Sequence, residues 1–252
     1  MNDKQTEIFF QIHQSLPREG PGSSESTKNA FLKMIDLPQN PNILDIGCGP
    51  GIQTFDLASL INGKITAIDN HPVYVDELKQ KVFHKGLSDQ IEVINADMFA
   101  LDFLNTNFDI IWVEGAIYII GFENGLKQWR PLLKLEGYLA ASEITWLKPY
   151  PPDELKEFWN TGYPAMQNIE GNLQIIQNCK YKIIDYFVLP ESSWWNDYYN
   201  PLEKRLQIMQ KHYHDDAEAL EVVNMAQFEI DLYRKYFDYY GYIFYIVQKL
   251  SN

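Results

Sequence analysis

The chain has 252 residues, with 34 acidic side chains against 21 basic ones, a formal charge of −13, and 46% hydrophobic residues. That length is enough to bury a substantial core in one elaborated domain, and no apolar run is long enough to cross a bilayer. The negative charge disfavours nucleic acid and anionic membrane as partners, because such binding relies on Lys and Arg displacing counterions.

The polar N-terminus lacks the basic patch, apolar stretch and small-residue cleavage site of a secretion signal, so a cytoplasmic location is expected. Cys48 and Cys179 lie far apart in the chain and are read as free thiols. In chain order, the spacing of Ile8, Phe9, Ile12 and Leu16 predicts a helix over 7–16, stopped by Pro17. A turn rich in glycine and serine follows at 18–24, and Ser24 or Ser26 caps a second helix carrying Ala30, Phe31, Met34 and Ile35.

From Asn42 onward, short apolar runs alternate with helical stretches, the signature of βαβ units and of a doubly wound α/β, mostly parallel sheet. Strands are predicted at 43–46, 64–69, 91–95, 108–113, 138–142, 182–189 and 242–248. Pro72 suits the first turn of the helix after the second strand, and Gly86 suits its C-terminal cap. Residues 123–135 read as a helix through Leu126, Trp129, Leu132 and Leu133, with Pro131 expected to kink or shorten it. About forty residues of helical pattern then separate the last two strands, far beyond an ordinary connection. The expected organisation is a single domain over 1–252, with a helical cap at 1–36 and a helical insertion at 190–240.

The stretch that carries chemistry is Ile43-Leu44-Asp45-Ile46-Gly47-Cys48-Gly49-Pro50-Gly51, a strand running into a glycine turn. Glycines there let the backbone bend sharply and approach a ligand without interposed Cβ atoms. Asp45 would face a pyrophosphate unfavourably yet could help to hold a cationic amino-acid portion. Gly51 falls one residue short of the third glycine of the dinucleotide fingerprint, a place taken by Ile52. Both features argue against a nicotinamide-dependent oxidoreductase. Asp69 ends the second strand, where a carboxylate can take both hydroxyls of a ribose. Asp97 and Met98 follow the third strand, an acceptor for an adenine amine beside a side chain that packs on the ring.

The run ILDIGCGPG, the acid at Asp69, the Ala96-Asp97 pair and FDIIWVEGA together resemble the class I S-adenosylmethionine-dependent methyltransferases over about residues 41–143. The resemblance implies a seven-stranded Rossmann-like methyltransferase fold with the last strand antiparallel and helical cap elements. It also implies S-adenosyl-L-methionine as cofactor and S-adenosyl-L-homocysteine as product. Asp45, Gly47, Gly49 and Gly51 would surround the methionine part, Asp69 would hold the ribose with Asn70 beside it, and Asp97 with Met98 the adenine. The backbone around Glu114 would meet the amino group. A narrower likeness, in REGPGS at 18–23, EGAIYIIGF at 114–122, GYLAASE at 137–143 and LPESSWWNDYYNP at 189–201, is to a subgroup of small-molecule methyltransferases, and implies a shared lid and pocket.

A small-molecule acceptor is thus the expected partner. Glu114 is the candidate general base, and Tyr118, Trp146, Trp194 and Tyr198 are candidate acceptor-pocket residues, with Glu143 nearby in the sequence. Cys48 reads as packing, since methyl transfer needs no covalent intermediate. His212, His214, Asp215 and Asp216 do not have the spacing of a metal site, and none is expected. The aromatic clusters are read as cap and lid, with a homodimer contact as another use. A non-catalytic protein that binds S-adenosylmethionine is the competing reading from another class.

Overall fold

A computed structural model describes residues 2–103 and 107–250. Helix α1 (Asp3–His13) begins earlier than the apolar spacing predicts. Asn2 supplies the reason: its side chain accepts from the Gln5 amide while the Gln5 side chain accepts from the Asn2 amide, a complete capping box. Helix α2 (Ser24–Phe31) is capped by Ser23, in place of the expected Ser24 or Ser26. There follow β1 (Asn42–Ile46), α3 (Ile52–Leu60), β2 (Lys64–Asp69), α4 (Pro72–His84), β3 (Ile91–Asn95) and β4 (Phe108–Val113).

After β4 come α5 (Ile117–Ile120) and α6 (Phe122–Trp129). Pro131 does end the predicted helix: a single 3-10 turn at Arg130–Leu132 leads into β5 (Leu133–Trp146), which is longer at both ends than 138–142. The added residues after Ser142 pair antiparallel along β7 (Tyr240–Lys249) up to Trp146 opposite Tyr240, and at the other end Leu133 pairs with Phe108 of β4. Two helices that the apolar spacing did not predict, α7 (Asp153–Gly162) and α8 (Ile169–Asn178), precede β6 (Tyr181–Val188). The long insertion before β7 consists of α9 (Ser192–Trp194), a π turn at Trp195–Tyr199, α10 (Asn200–His212) and α11 (Ala217–Tyr236).

The seven strands form one sheet in the order β3-β2-β1-β4-β5-β7-β6. Strands β1 to β5 pair in parallel, and β7 runs antiparallel to both β5 and β6, as the resemblance implies. Because side chains alternate along a strand, Ile43 joins the core on one face with α1, α3, α4, α10 and α11, while Leu44 and Ile46 join the core on the other with α5, α6 and α8. Strand order reverses between β1 and β4, and open α/β sheets bind ligands at the carboxyl ends beside such a reversal. Among the described residues, no helix is long and apolar enough to cross a membrane.

Candidate active site

At the end of β1 the backbone takes left-handed conformations at Gly47 (φ +70°), Gly49 (φ +50°) and Gly51 (φ +88°), which side chains rarely adopt. The three glycines have different duties. A Cβ on Gly47 would lie 2.6 Å from that of Ala116, and one on Gly51 would lie 2.2 Å from Leu78 of α4. Gly47 and Gly49 line a cavity of about 290 Å³ above the turn, whereas Gly51 starts α3 and packs on α4. The expected ligand contact at Gly51 is therefore replaced by close helix packing.

Asp69 holds this turn. Its Oδ2 accepts from the Gly49 amide at 3.0 Å and its Oδ1 from the His71 amide at 2.8 Å, tying the glycine loop to the β2–α4 loop. A carboxylate has lone pairs for more than two donors, and Asp69 and Asn70 both line the cavity. Met98 and Ala96 line it from the end of β3. Asp97 does not: it is exposed, and its Oδ1 accepts from the Phe99 amide at 3.0 Å in a local turn.

Asp45 is also displaced from its expected role. It is fully buried, accepts from the Thr54 hydroxyl at 2.6 Å, leaves Oδ1 without a partner, and is not among the cavity-lining side chains. Burial pushes its carboxyl up to about 7, with Glu114 and Asp69 adding to the shift and Thr54 opposing it.

Glu114 does line the cavity, but three donors occupy its carboxylate: Thr27 Oγ1 at 2.6 Å, Trp112 Nε1 at 2.9 Å and the Arg18 guanidinium at 3.1 Å. These donors make Glu114 an electrostatic anchor for Arg18 and leave its carboxylate little freedom for the general-base role expected of it. Arg18 is itself buried and also reaches Asp56 at 3.5 Å. This pair was missed in the sequence, because residues 18 and 114 meet only after folding.

The roof comes from the N-terminus. Phe9, Phe10 and residues 18–21 line the cavity, and the Phe10 ring lies 3.9 Å from the His71 ring. Glu19 accepts from the Tyr74 hydroxyl at 2.7 Å and keeps a buried Oε1 unpartnered. Burial pushes its carboxyl up to about 7, helped by Asp69 and Glu77. The Gly22 amide donates to the Ser193 carbonyl at 3.0 Å, and Ser193 also bonds Ser23, so the roof is tied to the late insertion.

Behind this space lies a second cavity of about 430 Å³, and the two share Phe9, Glu19, Gly20, Pro21, Gly115 and Tyr118. Trp194 and Tyr198 line only the second. Trp194 stacks on Tyr233 with ring centroids 4.0 Å apart. Trp146 reaches neither cavity, because it sits at the strand end against Tyr240, and its expected place in the pocket is corrected. Glu229 of α11 lines the second cavity. A signal for it exists in the sequence: Val222, Ala226, Glu229 and Tyr233 share one helical face, which makes Glu229 an acid on an apolar stripe.

Cys48 is buried in the core beside the glycine turn, and burial, with Asp45 and Asp69, pushes its thiol up, which disfavours the thiolate. His214 pairs with Asp215 and Asp216 caps α11.

Glu143, buried at the end of the sheet, is pushed up to about 8, again by burial first, against the nearby Tyr163 hydroxyl. A carboxyl raised above its unfolded value near 4 favours the folded state while protonated, and that contribution is lost as pH rises through the folded value. With Glu19 and Asp45 near 7 and Glu143 near 8, the ligand-free protein is expected to lose stability between about pH 5 and 8. Urea midpoints at about pH 5.5 and 8.5 check this, and a midpoint as high at the alkaline pH tells against it.

Residues 43–137 match a family model described as a methyltransferase domain. The chain is 22% identical over 187 residues to a sterol 24-C-methyltransferase of Neurospora crassa, covering 71% of this chain and 49% of that protein. It spans about half or less of the length of the curated sterol methyltransferases that it matches. A solved S-adenosylmethionine-dependent methyltransferase from Geobacter sulfurreducens, in complex with S-adenosyl-L-homocysteine, superposes with a TM-score of 0.80 at 17% identity, over 96% of this chain and 97% of that one. The cyclase SpnF superposes with a TM-score of 0.76 at 19% identity, over 98% and 93%.

Proposed function

We propose that residues 43–137, which match a methyltransferase-domain model, form a methyltransferase domain of the class I S-adenosylmethionine-dependent type, and that the protein methylates a small molecule by direct in-line transfer. The observation that carries this reading is the adjoining of the two cavities across Glu19, Gly20, Gly115 and Tyr118. A donor over the glycine turn and an acceptor in the aromatic chamber would meet at that boundary.

The lining of the first cavity fits the cofactor. Asp69 offers lone pairs to a ribose diol, and Met98 offers a polarizable wall to an adenine. Glu114 and Arg18 place both signs of charge side by side, as an amino acid's ammonium and carboxylate require. Three carboxylates, Glu19, Asp69 and Glu114, face the space against one guanidinium, which favours a cation over a pyrophosphate. When bound, the cofactor supplies an activated methyl on a sulfonium. The chain's part is then to align the two molecules and exclude water, the latter through the roof of Phe9, Phe10 and residues 18–21.

SpnF's likeness is a reminder that this fold does not dictate one reaction, and that solved chain is named a cyclase. Calorimetry with S-adenosyl-L-homocysteine and with NAD, followed by incubation of methyl-labelled cofactor with metabolite extracts, separates the readings. Tight binding of the first ligand and a labelled small-molecule product are expected. NAD binding would return the nicotinamide reading, and binding without any product would favour a non-catalytic role.

A further inference from the structure

Resting on that two-cavity reading, we propose that the acceptor carries a positively charged nitrogen, a protonated or alkylated amine on an apolar body, seated against Glu229 in the second cavity. The walls of that cavity include Phe9, Tyr118, Trp159, Trp194, Tyr198 and Tyr242. Aromatic faces attract cations, and several around one space form the kind of cage that holds alkylated ammonium groups.

The charges facing the cavity all have one sign. Glu19, Glu221 and Glu229 line it, and no Lys or Arg does so among the described residues. His13 adds no positive charge. Its Nδ1 lies 2.8 Å from the Phe9 carbonyl, its Nε2 lies 3.5 Å from the Tyr198 hydroxyl, and burial lowers its pKa, so the ring stays neutral.

Glu229 accepts one hydrogen bond, from Tyr199 at 3.0 Å, and among the described residues it has no ion-pair partner. Burial pushes its carboxyl up, and only Tyr199 opposes the shift. A carboxylate removed from water without a cation is costly, and a ligand cation beside it relieves that cost. A phosphate or carboxylate on the acceptor would instead meet Glu19 and Glu229 inside the cavity, with the exposed Glu221 at its edge. The seating of the nitrogen is independent of which acceptor atom takes the methyl group.

The test uses the full chain, with and without saturating S-adenosyl-L-homocysteine, and three near-isosteric probes: phenylpropylamine, phenylpropanol and phenylpropionate. Calorimetry is expected to show the amine binding about tenfold or more tighter than the alcohol, with no measurable binding of the carboxylate. Glu229→Gln keeps the Tyr199 partner, and it is expected to remove the amine's advantage while leaving the affinity for S-adenosyl-L-homocysteine within about twofold. That second reading also shows that the variant is folded. Equal or tighter binding of the alcohol or the carboxylate, or an amine preference that survives Glu229→Gln, overturns the proposal. Loss of S-adenosyl-L-homocysteine binding by the unmodified chain, with the amine preference intact, would remove the methyltransferase reading and leave the cation site standing.

Discussion

Asp69→Ala is expected to weaken S-adenosyl-L-homocysteine binding by about a hundredfold or more. Two charge-assisted hydrogen bonds to a ribose are together worth about 3 kcal/mol, and each 1.4 kcal/mol is about tenfold in affinity. The same carboxylate receives the Gly49 and His71 amides at 3.0 and 2.8 Å, so the substitution also loosens the turn that shapes the cavity floor. Both effects act in one direction. Calorimetry on the folded variant measures the sum, and an affinity within about threefold of the unmodified protein would refute the role of Asp69. Asp69→Asn separates the parts, since its amide oxygen can still accept one backbone bond while the charge is gone.

Arg18→Ala is expected to destabilise the protein by about 3 kcal/mol, the size of effect seen when one partner of a buried ion pair is removed. The Arg18 and Glu114 side chains are 5% and 6% exposed, so Glu114 would lose its ion-pair partner in a site nearly closed to water. Thr27 and Trp112 would still donate to it, but neither brings positive charge. Space is tight around the guanidinium: a Cβ on Gly22 would fall 2.8 Å from Arg18 Nη1. Arg18→Lys should rescue only part of the loss, because an ammonium cannot bridge Glu114 and Asp56 as the planar fork does. Urea titration of Arg18→Ala, Glu114→Gln and the double variant gives the coupling. Independent, additive losses would mean that the pair does not act as a unit.

Local and non-local information divide clearly along this chain. The apolar runs of β1, β2, β3 and β4 and the bend at Gly47, Gly49 and Gly51 follow from side-chain periodicity and from a backbone that only glycine enters easily. Asp69 was legible as well, because a strand in a parallel sheet delivers its last residue to the ligand edge. The extent of β5 was not, since its C-terminal pairs depend on β7, which lies about a hundred residues later.

What the letters alone settled was the seven strands in chain order, the glycine turn, and an acid at the tip of β2, whereas α7 and α8 went unread. Hydrophobic period and left-handed backbone are properties of a few adjacent residues. The duty of each acid was decided by folding. Asp45 went to Thr54, Asp97 to the Phe99 amide and Glu114 to Arg18, Thr27 and Trp112, while Glu229 came from the insertion to face the second cavity. A carboxylate's role depends on which donors surround it and how much water remains, and most of those neighbours arrive from distant parts of the chain.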